Sequence, residues 1–453
     1  MPYRQNVQYF LQQNIGDRGL AEHELDSLNS SARLALYHTV DNIKDPAYPL
    51  FSLPQKVDDI TAMTDVANRF RDSFTDVVVL GTGGSSLGAK AVAELSATDE
   101  GPNGPNLHVD INIDQYGFAN FINNLPLATT GWIIVSKSGS TAETLMQFMS
   151  ILPKLRAELG DTALPKHIVV ITEPRDSALM RLAQTFHLPV LDHDPNIGGR
   201  YSVLSVVGML PALIVGLDPS AFRAGAAEVV NQVLSVTPGS AMEADPIRGA
   251  VYSHALYQHR GIENTVMIAY GDKFESFCRW YRQLWAESLG KNGCGTTPSY
   301  GMGPVDQHSQ LQLWLDGPSD KMFTVLGICT KTTGIAPSNH QDFAIDPEIA
   351  ALAGMDFMAG RRLEDLMDAC RLGTIQTLAK YGCPVRTMDV DHLDEYSMGG
   401  LLMHFMIETI AASALMKVNP FDQPAVEHGK ILAKQYLSEP SPAPQAVQYD
   451  LAS

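Results

Sequence analysis

The stretch that decides the fold is "GWIIVSKSGSTAETLMQFMSILPKL", residues 131–155. An apolar run enters a turn that carries Ser136, Lys137, Ser138, Gly139, Ser140 and Thr141 and then leaves on helical spacing through Thr144. A run apolar at every position, rather than alternating, predicts a strand covered on both faces. The turn is costly to desolvate unless it binds something. Gly139 lets the main chain bend so that successive N–H groups face one point, and the helix that follows adds partial positive charge there. Those properties suit a small dianion such as a phosphate. Ordinary N-capping by Ser140 or Thr141 is the plain alternative.

Outward from this stretch the same grammar repeats. "DVVVLG" (76–81) precedes "SLGAKAVAEL", "LHVDIN" (107–112) precedes a short helical segment, and "KHIVVITEP" (166–174) precedes "DSALMRLAQTF". After a helical block at about 202–235 a second series begins. "NTVMIAYG" (264–271) leads into "DKFESFCRWYRQLWAESLGK", then come "KMFTVLGIC" (321–329), "RRLEDLMDACRLGTIQTLAKYG", "PVRTMDV" (384–390) and a helix near 398–417. Alternating strand and helix predicts an α/β protein with two doubly wound parallel-sheet domains and flanking helices. The expected divisions are a helical segment 1–54, a first domain 55–200, linking helices with a second domain 201–435, and a Pro/Ser-rich tail 436–453.

Composition narrows the function. At about 100–200 residues per domain, 453 residues make two or three domains. The net charge of −18 repels polyanions and so argues against nucleic acid and anionic membranes as partners. The five cysteines (278, 294, 329, 370, 383) form no CxxC pair, which argues against a disulfide framework or a zinc ribbon. The opening "MPYRQNVQYFLQQN" lacks an apolar signal core, and "VVGMLPALIVGL" (206–217) is too short to span a bilayer. A soluble, cytoplasmic protein is expected.

"VVVLGTGGSSLGAK" fails two familiar templates. A dinucleotide GxGxxG would need glycine where Ser86 stands, and a phosphate loop from Gly83 would need lysine where Ala89 stands. What remains is a turn at a strand's carboxyl end where Gly84 allows close approach and Ser85 can donate. Arg200 follows two glycines in "NIGGRYSVLS" and either reaches into a cleft or pairs with a surface carboxylate. Gln283 and Glu287 lie four apart on one helix face, with Glu287 near the C-terminus, where the dipole disfavours a carboxylate. Glu287 serves either as a base or as the partner of Lys291, also four residues away. His308 stands between a Gly/Pro turn and an apolar run, as a proton relay or as a capping histidine. His254 and His259 are five apart, the wrong spacing for a helical metal pair, and no metal is expected. In "NPFDQPAVEHGK", Gln423, Glu427 and Lys430 follow a proline-fixed turn, and Glu427–Lys430 also fits a surface pair.

In this order these segments resemble the glucose-6-phosphate isomerase (phosphoglucose isomerase) family. "NIGGRYSVLS" and "NPFDQPAVEHGK" are similar to its two signature regions, and "GTGGSSLG", "SKSGSTAET" and "QLWAESLGK" to its sugar-isomerase (SIS-type) segments. The resemblance spans about residues 55–435. It implies reversible exchange of glucose 6-phosphate and fructose 6-phosphate through a cis-enediol, in glycolysis and gluconeogenesis, with no cofactor. It also implies roles. Glu287 would move the proton between C2 and C1, and Arg200 would stabilise the enediolate. His308 would open the sugar ring, assisted by Lys430. Ser136, Lys137, Ser138, Thr141 and Thr144 would hold the phosphate, and Gly84, Ser85, Gln283 and Gln423 would touch sugar or phosphate. A homodimer is implied, with the histidine reaching the partner's site. Pro424-Ala425 departs from the family's common Trp-Gly. Competing readings are a non-catalytic sugar-phosphate sensor on the same fold, which would not need Glu287, Arg200 and His308 together, and an isomerase that also accepts mannose 6-phosphate.

Overall fold

A computed structural model describes residues 1–453 except 99, 100, 103, 110, 330–342 and 439–453. The expected tail therefore lies almost wholly outside the described residues.

The first sheet is parallel throughout. Its order is Asn106–His108, Asp76–Leu80, Thr130–Val135, Ile168–Thr172, Val190–Asp192. Numbered by sequence within the sheet, that is 2-1-3-4-5. Every residue of the three central strands is buried. Alternate side chains feed two cores. Val77, Val79, Ile133 and Val135 face one, and Val78, Leu80, Trp132 and Ile134 face the other. That division is why the runs are apolar without alternation.

The second sheet repeats the order. Among its parallel strands Asn264–Tyr270, Thr297–Gly303, Lys321–Ile328 and Val385–Val390 the order is 2-1-3-4. The fifth place goes to Arg4–Tyr9, antiparallel to Val385–Val390. The expected helical segment 1–54 thus opens on a strand, and the second parallel sheet carries one antiparallel edge. While the helix Glu22–Lys44 is the longest element of the segment, "RQNVQY" alternates as an edge strand does, exposed then half-buried. Its short length and polar face hid it in the sequence.

The helix Glu395–Met416 is buried from Ser397 to Ser413. It packs on the helices Pro219–Ser235, Asp245–Arg260 and Glu275–Leu289. By length and composition it is the single described helix able to cross a membrane, and its apolar window is 89% buried inside the protein. One continuous core thus joins residues of both sheets, from Val77 and Ile133 to Met267, Leu326 and Met388. None of the five cysteines forms a disulfide among the described residues.

Candidate active site

In an open α/β sheet the crevice lies beyond the carboxyl ends of the strands, where the strand order reverses. In the first sheet this point falls between Asp76–Leu80 and Thr130–Val135, with Leu80 paired to Ile134. Both sequence-predicted turns leave from that edge.

The turn after Val135 folds as a cradle. Gly139 adopts φ +64°, and a Cβ there would lie 2.0 Å from Ser177 Oγ, so no other residue fits. Thr141 occupies the N-cap of the helix Ala142–Leu159, yet its side chain caps no helical N–H; its hydroxyl lies 2.9 Å from Ser136 Oγ. The plain capping alternative is thereby removed, and the helix's first amides receive no side-chain cap. Ser138 Oγ accepts from the Ser140 hydroxyl at 3.0 Å. Ser136 is buried, and so is Thr144, whose Oγ1 has no partner among the described residues. Lys137 reaches toward Glu173, with Nζ 3.8 Å from Oε1. Burial holds the Lys137 ammonium below the ordinary lysine value. Glu173 and Asp194 oppose that effect, while the charges of Arg175 and Arg200 reinforce it. Lys137 therefore feels Arg200 although 63 residues separate them in sequence.

The turn after Leu80 forms a single 3-10 turn, Gly83–Ser85. A Cβ on Gly84 would lie 2.2 Å from the Gly199 carbonyl carbon and 2.6 Å from Arg200 N. The two glycine turns therefore pack backbone against backbone, and this contact sets where Arg200 starts. Ser85 is half-buried in the same turn.

Arg200 is 3% exposed and uses its whole donor fork. Nε donates to Ser288 Oγ at 2.8 Å. Nη1 donates to Glu287 Oε2 at 3.2 Å and to Gln423 Oε1 at 3.0 Å, and Nη2 to the carbonyls of Pro420 and Asp422. Glu287 lies in the last turn of Glu275–Leu289, and its other oxygen accepts from Gln283 Nε2 at 3.0 Å. Each carboxylate oxygen thus has one donor, and the side chain remains 32% exposed toward the crevice. Lys291, the partner weighed from spacing, turns instead to Asp422 and to backbone carbonyls.

The chain thus brings together Gly84, Arg200, Gln283, Glu287 and Gln423, beside the cradle of Ser136, Lys137, Ser138, Thr141 and Thr144. Among the described residues, neither a hydrogen bond nor an ion pair joins His308 or Lys430 to this group. His308 is exposed on the short helix Val305–Ser309 and bonds to no described residue. Lys430 is exposed on Glu427–Ser438 and pairs with Glu427 at 2.7 Å, as the surface-pair alternative has it. Sequence reasoning missed Ser288, Glu173 and the Pro420 and Asp422 carbonyls. Backbone acceptors carry no sequence signal, and Ser288 differs from an ordinary helical serine only by adjoining Glu287. No group of three or more metal-ligating side chains occurs among the described residues.

A fixed carboxylate and a buried guanidinium share one edge with a phosphate-shaped turn, and the family model of phosphoglucose isomerase matches residues 57–453. The chain belongs to the phosphoglucose isomerase family. It is 34% identical to the glucose-6-phosphate isomerase of Rubrobacter xylanophilus over 430 residues, 93% of this chain and 95% of that protein. A solved structure of a hypothetical protein from Thermus thermophilus superposes with a TM-score of 0.80 at 28% identity, covering 96% of this chain and all of that one. A glucose-6-phosphate isomerase structure from Chlamydia trachomatis has the same fold, with a TM-score of 0.76 at 19% identity over 95% of this chain and 90% of that one.

Proposed function

We propose that this chain interconverts glucose 6-phosphate and fructose 6-phosphate through a cis-enediol, as a soluble cytoplasmic enzyme of glycolysis and gluconeogenesis. The observation that carries the reading is Glu287. Its carboxylate is oriented by Gln283 and Arg200 at the sheet edge that also bears the cradle. One base beside two adjacent carbons moves the proton between C2 and C1, and Arg200 offsets the oxyanion that develops. The phosphate, gripped by Ser136, Lys137, Ser138, Thr141 and Thr144, supplies binding energy remote from the reacting carbons. Gly84, Ser85, Gln283 and Gln423 are assigned to contact the sugar or its phosphate. No nicotinamide or metal is invoked in these steps.

His308 and Lys430 are assigned to ring opening within a homodimer, in which the partner chain presents the histidine. Its exposure on a well-anchored helix supports that assignment. Gln307 beside it donates to Tyr270 Oη at 2.6 Å, and Asp306 accepts from Met302 N at 2.7 Å, so the helix is fixed while the imidazole bonds to no described residue.

The test is a coupled assay of purified protein with fructose 6-phosphate, and with mannose 6-phosphate as competitor substrate. Wild type is expected to turn over fructose 6-phosphate. Glu287→Gln should lose roughly 10²–10⁴-fold in kcat with KM little changed. Solvent-proton exchange at the reacting carbon should be lost with it. Exchange that continues at the wild-type rate in this variant would assign the base elsewhere.

A further inference from the structure

Lys291 stands just past the carboxylate helix, and its spacing offers it to Glu287. Its ammonium instead donates to the Ser288 carbonyl at 2.9 Å and to the Asn419 carbonyl, and it pairs with Asp422 Oδ1 at 3.2 Å. The lysine side chain is 11% exposed. Its acceptors come from two elements that both hold Arg200. Ser288 supplies the hydroxyl for Arg200 Nε, and Asn419 and Asp422 bracket Pro420, whose carbonyl, like that of Asp422, accepts from Arg200 Nη2. Residues 418–423 have no regular secondary structure to hold those carbonyls in place. A cation at a helix C-terminus is also favourably placed against the dipole and the free carbonyls there.

We propose that Lys291 is a positioning residue that straps the 418–423 segment to the last turn of Glu275–Leu289, so that Arg200 is held against Glu287 for the enediol step. The proposal rests on the roles given above to Arg200 and Glu287. Glu287 and Arg200 belong to elements far apart in sequence, and the loop contributes three of the five acceptors on the guanidinium. When the strap is cut the loop loosens, the fork loses its alignment, and the oxyanion partner moves off the reacting edge. Phosphate contacts on the opposite side of the crevice stay as they were. The effect therefore falls on kcat rather than on KM.

The experiment compares wild type, Lys291→Met and Lys291→Arg as full chains. It measures kcat and KM for fructose 6-phosphate, and amide hydrogen exchange of the peptide covering 418–423. Lys291→Met should lower kcat roughly ten- to hundredfold, with KM within about threefold. It should also speed exchange in that peptide, and arginine should restore most of both. A Lys291→Met enzyme with wild-type kcat, or one in which KM alone rises, overturns the proposal. Unchanged exchange at 418–423 overturns it as well. If the methionine variant does not fold, Asp422→Asn removes the ion pair while keeping the backbone carbonyl and carries the same expectations. A wild type inactive on fructose 6-phosphate would remove the isomerase reading itself, and the exchange measurement would still decide the strap.

Discussion

Glu287 keeps about a third of its side chain in the crevice, whereas Glu408, on the central helix, is fully sealed. Glu408 Oε2 accepts from Arg386 Nη1 and from His404 Nε2, each at 2.8 Å, and the Tyr3 hydroxyl lies 2.6 Å from His404 Nδ1. Burial pushes the Glu408 carboxyl up, but Arg386 and His404 outweigh it and hold the group below the usual glutamate range. For His404 burial dominates over the Glu408 charge, so the imidazole lies below the ordinary histidine value. Both shifts act in the same direction. A depressed histidine is stabilising in its neutral form above the unfolded value of about 6.5, and this stability drains away as pH falls below it. The depressed glutamate adds stability that is lost at still lower pH. The unfolding free energy, read through the melting temperature, should therefore fall as pH drops from about 7 to 5.5, with a slope of at most ~1.4 kcal/mol per pH unit for each proton taken up. His404→Gln should flatten the upper part of that slope. A variant with the same pH dependence as wild type would place the titrating group elsewhere.

At the scale of the element, the cradle combines a short hydroxyl-rich turn with a helix whose first amides are left uncapped. Its shape depends on one backbone conformation. Gly139→Ala would force a Cβ into Ser177 at a positive φ, and the turn would have to move. The expected result is a KM for fructose 6-phosphate raised roughly tenfold or more, with kcat reduced less, because the reacting edge lies on other elements. Steady-state kinetics would check this, and a pure kcat loss would mean that the turn serves the chemistry rather than the anchor. The turn's hydroxyls and glycine were legible in the sequence. That Thr141 spends its hydroxyl on Ser136 rather than on a cap was not, since both uses fit the same spacing.

At the scale of the molecule, two sheets of like strand order share one core around Glu395–Met416, and Arg200 and Glu287 meet from elements on either side of the chain's midpoint. His308 and Lys430 point outward from that arrangement. If a second copy supplies His308, two inactive variants should rescue each other. Glu287→Gln and His308→Ala, denatured and refolded together, should regain part of the wild-type activity through mixed dimers that hold one intact site. Each variant refolded alone should not. Activity no higher than the sum of the separate proteins would place the histidine in the same chain as its glutamate.

The alternation of apolar runs with helical spacing was enough to determine two α/β units, because a parallel strand buried on both faces imprints its burial directly on composition. The hydroxyl and glycine turns were equally plain, since positive φ and close approach admit few residue types. Tertiary structure alone decided which residues meet. Arg200 is held by Ser288, Pro420, Asp422 and Gln423 through contacts that span up to 223 residues, two of them to backbone oxygens that every residue possesses. It alone also placed the Arg4–Tyr9 strand against Val385–Val390, near the other end of the chain, because an edge strand takes its identity from the partner it pairs with rather than from its own side chains.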